Sequence, residues 1–458
     1  MPGNPGKEAS LSVTNEEHPQ PWSSISGWAG TCHARSRVIR CADSEEVRAR
    51  AQEPMCWLPR GGGFSYGDAA ILDEGRLLLL DCPEGSGTIC SDSGSIVVPS
   101  ALTLRTLLST LATEGLTLPV VPGVLDATVG GVLAADAHGK NHLIRGSLRD
   151  VTRSLRLLLP TGEVVECDRD RNQDLFGATI GGMGLTGMIL EAQLEVIPFA
   201  GPQASVEVLT TPDLETSLEQ LQRLGQRQEH VAVWLDPTAR DGAWGRGIVV
   251  GGAVENSGGN EQRSWNLSRA FPFPPGLGRL LGPRTLRWHN QFRYRFAGGS
   301  DRVRSWKLER LLFPLERWSN WKRIYQPGGF HQHQSLIPQG NCQQAIKKLL
   351  KIACSGVLAP TLVVLKCMRR GGGWLSFPEQ GMTLTMDLRA DGDSPEILRR
   401  LDQEVADQGG RVYLAKDSTL TPELLARMYP DLPRFLELRQ RVDPDRKIAS
   451  DLSRRLDL

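Results

Sequence analysis

No stretch of eighteen apolar residues occurs in this 458-residue chain, so no helix of membrane-spanning length is predicted. The opening Met1 to Ser10 has neither an apolar run nor a cleavage pattern, and no signal peptide is expected. Residues 1–17, rich in Pro, Gly, Asn and Glu, read as a disordered lead-in. Charge of one sign is missing too: 53 Lys and Arg stand against 52 Asp and Glu, a net +1. No global field therefore points to nucleic acid or to an acidic partner. The nine cysteines form no Cys-x-x-Cys pair, so neither a zinc ribbon nor a redox disulfide is readable, and free thiols are expected. His331 and His333 sit two apart, but no third ligand accompanies them and no metal is predicted.

What is abundant is glycine, 49 residues, concentrated in three loops between strand-like runs. The first is Arg60, Gly61, Gly62, Gly63, Phe64, Ser65, Tyr66, Gly67 and Asp68. Three adjacent glycines suit a loop whose N–H groups cradle an anion such as a pyrophosphate. The second runs from Pro122-Gly123 through Thr128, Val129, Gly130 and Gly131 to a small-residue stretch. It closes on a polar end, His138-Gly-Lys140-Asn-His142, suited to a phosphate-bearing cofactor beside a reaction centre. The third, Gly182 to Gly187, fits the G-x-G-x-x-G pattern of dinucleotide folds. That pattern needs a following helix, whereas the alternation from Leu190 predicts a strand, so a nicotinamide site is rejected.

Elsewhere, Ser44 is predicted to cap a helix, Thr103–Gly115 reads as an amphipathic helix, and Thr117–Val121 as a strand. Pro198 to Pro212 marks a boundary, and Asn256 to Glu261 reads as a flexible loop. Residues 279–323 carry twelve Lys or Arg, three acids and four tryptophans. The plainer expectation there is a solvated loop and helix with core tryptophans; the alternative is a surface meeting anionic lipid. Phe330–Pro338 alternates as a strand, which puts Gln332 and Gln334 on one face and the two histidines on the other. Lys366 follows a buried strand, Thr361–Leu365, a place where lysines are usually surface groups.

The three loops, with Gly409 to Ser418, Val442-Asp-Pro444 and Ala449 to Leu458, resemble the flavoproteins of the p-cresol methylhydroxylase and vanillyl-alcohol oxidase superfamily. Within it they look most like the branch that oxidises polyprenyl-phosphoryl ribose. The resemblance spans roughly residues 20 to 458. It implies an α+β, two-domain protein: an FAD domain of two α+β subdomains over 18–198, and a substrate domain with an antiparallel sheet over 199–411. A segment, 412–458, returns to the FAD domain. The resemblance also implies cofactor contacts from Arg60 to Asp68, and from Gly123, Thr128, Val129, Gly130, Gly131, Ala135, Asp136, Ala137, His138, Gly187, Ile189 and Tyr413. It places Gln332, Gln334, Lys366 and Lys416 by the substrate and flavin, with His138 at the flavin edge.

An alcohol-oxidising flavin enzyme needs an oriented carbinol, a proton acceptor and positive charge near the flavin. His138, Lys140, Lys366 and Lys416 are the candidates, and which is the base stays open. Superfamily members with covalent flavin often use a histidine in the first loop; this chain has Phe64, so non-covalent FAD is expected. The His-Trp-Gly-Lys motif of the sugar-lactone oxidases is absent. Mycobacterial members of the ribose branch carry a cysteine where this chain has Thr385, which bears on the substrate more than on the reaction class. The leading expectation is oxidation of a lipid-linked pentose alcohol, completed by a separate nicotinamide-dependent reductase, in the cytoplasm or peripherally at a membrane. The alternatives are a soluble sugar-lactone or alditol oxidase, and a non-catalytic membrane-surface protein that keeps a flavin for structure.

Overall fold

The computed structural model describes residues 21–82, 88–90, 94–240, 242–255, 265, 272–274, 276–297, 303–340 and 342–458. The expected N-terminal tail and the loop Asn256 to Glu261 lie outside the described residues. Two small sheets form first. β1 (Trp22–Ser26), β2 (His33–Cys41), β3 (Trp57–Pro59) and β4 (Arg76–Leu80) assemble in the order β1-β2-β4-β3. β4 runs parallel to both β2 and β3, and the helix Ser44–Ala51 lies between β2 and β3 in sequence. Asp43, not Ser44, caps that helix: its extended backbone turns the carboxylate onto the Glu45 and Glu46 N–H groups, both at 2.9 Å.

A second, antiparallel sheet takes β5 (Thr88–Cys90), β6 (Ser95–Pro99), β8 (Thr152–Leu158), β9 (Val164–Asp168) and β10 (Met188–Glu195) in the order β5-β6-β10-β8-β9. The third glycine loop thus feeds a strand, β10, as the alternation predicts. The expected strand at Thr117–Val121 is shorter: only β7 (Leu116–Thr117) pairs, with β11 (Ile197–Pro198). Leu118 and Val120 are instead buried in the core without a strand partner. The helix Leu104–Thr113 turns five apolar side chains onto this core and is capped by Thr103, whose hydroxyl accepts from Thr106 N–H at 3.2 Å.

From residue 203 the chain builds one eight-stranded sheet in which every pairing is antiparallel. It comprises β12 (Gln203–Thr211), β13 (His230–Leu235), β14 (Gly247–Val254), β15 (Arg304–Lys307), β16 (Phe330–Pro338), β17 (Leu362–Met368), β18 (Gly381–Arg389) and β19 (Arg411–Val412). The order is β15-β12-β14-β13-β17-β18-β16-β19. β16 and β18 are in register over nine residue pairs, Phe330 with Arg389 through Pro338 with Gly381, which fixes which of their side chains share a face.

After β19 the chain goes back to the first sheet. Trp57 donates its N–H to Lys447 and Ala449 donates to Trp57, so residues 447–449 extend the edge of β3. Arg455 reaches Asp68 at 2.8 and 2.9 Å and Asp417 at 2.8 Å, closing the return. Gly67 is packed so tightly there that a Cβ would sit 1.8 Å from the Asp417 carbonyl oxygen. Cys32, Cys41, Cys56, Cys82, Cys167, Cys342, Cys354 and Cys367 are free thiols.

Candidate active site

A cavity of about 620 Å³ lies between the glycine loops of the two small sheets and the face of the large sheet that carries β16, β17 and β18. Its inner wall is backbone. The first and second loops approach so closely that a Cβ on Gly61 would meet Thr128 Oγ1 at 2.1 Å, and the second loop packs on the end of β6, where a Cβ on Gly130 would meet Ser100 Cβ at 2.9 Å. Gly63 holds φ +70°, a left-handed turn that a side chain would strain. Thr128 caps the helix Val129–Ala134, accepting from Gly131 N–H at 3.3 Å, and the small Ala134, Ala135 and Ala137 leave the middle of the cavity open. Of the residues expected there, Arg60 to Tyr66, Gly123, Thr128, Gly130, Gly131, Ala135, Ala137, His138, Gly187, Ile189 and Tyr413 all line the cavity.

The opposite wall is polar, and strand alternation makes it so. Gln332 and Gln334 point into the cavity from β16, Lys366 from β17 and Thr385 from β18, and Lys416 joins them from the turn after β19. The two histidines of β16 face elsewhere: His333 contacts Asp402 at 3.1 Å and His331 contacts Ser418 at 3.3 Å. One hydrogen bond ties the walls together, Gln334 to His138, and two more brace the polar wall. Gln334 Nε2 donates to His138 Nε2 at 3.1 Å and to Thr383 Oγ1 at 3.0 Å; Lys416 Nζ donates to Gln332 Oε1. Behind Gln332 lies Asp387, fully buried, which accepts from Gln332 Nε2 at 2.5 Å and lies 3.4 Å from the Tyr325 hydroxyl.

Burial sets the protonation of this wall. It lowers Lys416 to about 7, with the neighbouring Lys366 pushing the same way and Asp387 opposing. Lys366 is lowered to about 8, again by burial. The Asp387 carboxyl is raised to about 6 by burial, against the bonds from Gln332 and the charge of Lys416. His138, buried and beside Lys366, is held neutral, and its Nδ1 has no partner among the described residues. Near neutral pH the wall therefore carries a titrating lysine, a mostly charged lysine and a neutral imidazole. Among the described residues Lys366 Nζ makes no hydrogen bond or ion pair.

Five expected residues go elsewhere. Lys140, two residues after His138, turns away from the cavity and gives its ammonium to the carbonyls of Leu311 and Leu312, stapling the second glycine loop to the helix Leu308–Leu312. Gly67 and Asp68 face the returning C-terminal segment, not the cavity. Val129 is core, wholly buried. Asp136 is also buried behind the cavity, where its carboxylate accepts the Arg149 N–H at 3.2 Å. Conversely, Asp387 was not anticipated. Its only signal was its position at the end of the strand 382–387, five residues past Met382. Trp28, Trp321, Leu315 and Val364 also line the cavity without having been singled out for it.

Comparisons with known proteins agree with this geometry. Residues 36–168 match the FAD binding domain family, and residues 382–456 match the D-arabinono-1,4-lactone oxidase family. The chain is 30% identical over 470 residues to decaprenylphosphoryl-beta-D-ribose oxidase of Mycolicibacterium smegmatis, covering 97% of this chain and 100% of that one. It is 35% identical over 377 residues to a Streptomyces coelicolor protein described as an uncharacterized protein in the mprA 5' region, covering 78% and 100%. With L-gulonolactone oxidase of Mus musculus it shares 25% identity over 400 residues, 84% of this chain and 86% of that one.

Proposed function

This chain belongs to the FAD-linked oxidase family that includes decaprenylphosphoryl-beta-D-ribose oxidase, and from that premise we propose that it oxidises the 2′-hydroxyl of a polyprenyl-phosphoryl ribose. It is an FAD-dependent oxidoreductase that acts on sugars. The residues present fit the cofactor: a backbone cradle at Gly61 and Gly130, packed too closely on Thr128 and Ser100 for side chains, an open backbone at Gly123, and a buried nitrogen on His138 with no partner among the described residues. The loops from Arg60 to Tyr66 and from Gly123 to Gly131 would hold FAD, with Gly187, Ile189 and Tyr413 completing its surroundings.

One observation carries the substrate reading. The cavity presents two lysines, Lys366 and Lys416, on its polar wall, and the buried acid beside them, Asp387, is shielded behind Gln332. Lys366, mostly charged at neutral pH and free of protein partners among the described residues, suits a phosphate diester better than a neutral lactone. Bound FAD supplies a two-electron acceptor for the hydride that leaves the carbinol carbon. The protein's part is to place and deprotonate the alcohol. Neutral Lys416 takes the hydroxyl proton at Nζ as the C–H bond breaks, leaving a ketone, and Gln332 fixes the direction of that Nζ. The ammonium so formed is then stabilised by Asp387 through Gln332. Gln334, bonded to His138, orients the imidazole, which burial and Lys366 keep neutral, at the other side of the cavity. A separate nicotinamide-dependent reductase would return hydride to the ketone and so complete the 2′-epimerisation to arabinose.

The experiment is an anaerobic titration of the FAD-loaded protein with a polyprenyl-phosphoryl ribose, followed by flavin absorption. Bleaching is expected. A flavin that stays oxidised with this lipid but bleaches with a soluble lactone would replace the reading with sugar-lactone oxidation, which the D-arabinono-1,4-lactone oxidase match over 382–456 favours. We further propose that FAD is held without a covalent bond, since Phe64 stands in the first loop where a linking histidine would be needed. Precipitating the protein with acid is expected to leave the yellow colour in the supernatant; a yellow pellet would establish a covalent link.

A further inference from the structure

Eight of the protein's eleven exposed large apolar side chains among the described residues fall between Leu277 and Trp318. Three of them make a single stripe on the helix Pro283–Ala297. Trp288 is 71% exposed, Phe292 51% and Phe296 68%, at i, i+4 and i+8, so they stack along one face with ring centroids 5.7 and 4.3 Å apart. The helix docks through its other side. Leu286 and Asn290 are buried, Asn290 Nδ2 donates to Asp236 at 3.0 Å, and the Tyr294 hydroxyl donates to the Thr211 carbonyl at 3.2 Å. At 100° per residue the docking face and the stripe lie about half a turn apart. The rings are therefore not displaced core residues: packing is already satisfied without them.

Charge says what they meet. From Gln262 to Ser300 the sequence has no Asp or Glu and seven arginines, four of them on this helix, although the whole chain is nearly balanced at +1. Arg284 and Arg295 are exposed beside the stripe, and Arg287 is exposed nearer the docking side. Aromatic rings flanked by arginine with no acid suit the headgroup level of an anionic bilayer. None of the described helices is long and apolar enough to cross a membrane, so the contact would be peripheral. We propose that this helix docks the protein on an anionic phospholipid surface, its Trp288, Phe292 and Phe296 rings entering the headgroup region and its arginines pairing with lipid phosphates. The three rings do not line the cavity, so docking and turnover are separable. Leu315, exposed and in the same stretch of sequence, does line it.

The test is flotation of the FAD-loaded protein with vesicles of phosphatidylcholine alone, or with about one third phosphatidylglycerol. The expected result is binding to the anionic vesicles only, weakened by salt. Replacing Trp288, Phe292 and Phe296 together by serine is expected to lower the partition coefficient at least about tenfold. Bound flavin and melting temperature should not change, because the rings are exposed. Arg284→Glu with Arg287→Glu and Arg295→Glu should abolish binding without touching the rings. A wild-type protein that ignores anionic vesicles overturns the proposal, as does a triple serine variant that binds as well as wild type. If the stripe instead joins two copies, the wild type would run as a dimer that the serine variant dissolves, with no vesicle binding; that outcome also overturns it.

Discussion

Replacing Lys416 with methionine is expected to slow alcohol oxidation by about 100- to 10,000-fold, the range a positioned proton acceptor contributes, while FAD remains bound. Methionine matches the chain as far as Cε, with sulfur in place of one methylene, and removes the amine. The wild-type enzyme should also show the titration of that amine. Lys416 is lowered to about 7 by burial and by Lys366, so it is protonated and unable to accept a proton below that value and competent above it. With the lysine as the base, kcat/KM for the alcohol rises with pH through about 7, and the limb disappears in Lys416→Met. Stopped-flow flavin reduction across pH 5.5 to 9 reads both effects, roughly spanning that pKa. A variant that reduces its flavin at the wild-type rate would remove Lys416 from proton transfer. His138 could not take its place easily: burial first, then Lys366, keep its imidazole from charging.

A second large effect is expected far from the cavity. Arg455→Met should destabilise the fold by about 3 to 5 kcal/mol, the usual cost of stripping one partner from a buried ion pair. Arg455 is three-quarters buried at its side chain and bonds to both Asp68 and Asp417, the latter almost completely enclosed. Despite burial, those two carboxylates keep the guanidinium charged. Without it Asp417 is a buried carboxylate with only the Thr419 and Leu420 N–H groups left to it. The melting temperature should fall by several degrees or more, since about 1 kcal/mol shifts it by 2 to 4 °C in domains of ordinary size. Adding Asp417→Asn, which removes the stranded charge, should recover part of the loss. Equal stability of Arg455→Met and wild type would show that the three side chains are not acting as one cluster.

Much of the site could be read from sequence because it depends on local rules. Runs of glycine and strict alternation in Phe330–Pro338 each dictate a backbone form: they marked the inner wall and put Gln332 and Gln334 on one face, while the placing of Lys366 and Lys416 beside them rested on the family resemblance. The misreadings have a common physical origin: they concern where a side chain ends up after distant segments meet. Lys140 lies two residues from His138, but its partners are carbonyls more than 170 residues later. Asp68 sits in the first glycine loop and serves Arg455, 387 residues away. Asp387 gains its meaning from Gln332, 55 residues earlier, on the neighbouring strand. The tryptophans of 279–323 show the same limit. The stretch was legible as basic and aromatic, yet the plainer expectation of core rings fails for Trp288 and Trp318, which are exposed, while Trp306 and Trp321 are half-buried. β1 went unnoticed because Trp22–Ser26 lacks an apolar alternation and is held by pairing with β2.

The eight-stranded sheet is one continuous insert, from residue 203 to 412, in a framework that begins before it and resumes after it. Such an arrangement invites exchange: an ancestor could acquire a new substrate by receiving a different insert and keeping its flavin-holding loops. The seam, however, runs through two hydrogen bonds at the cavity. Gln334 belongs to the insert and His138 to the framework; Gln332 belongs to the insert and Lys416 to the segment that follows it. An insert from a relative that lacks either glutamine would arrive with no counterpart for the amine or the imidazole across the seam. The two parts of this chain can therefore diverge freely over their outer surfaces, but at these four residues they have to be inherited as matched pairs.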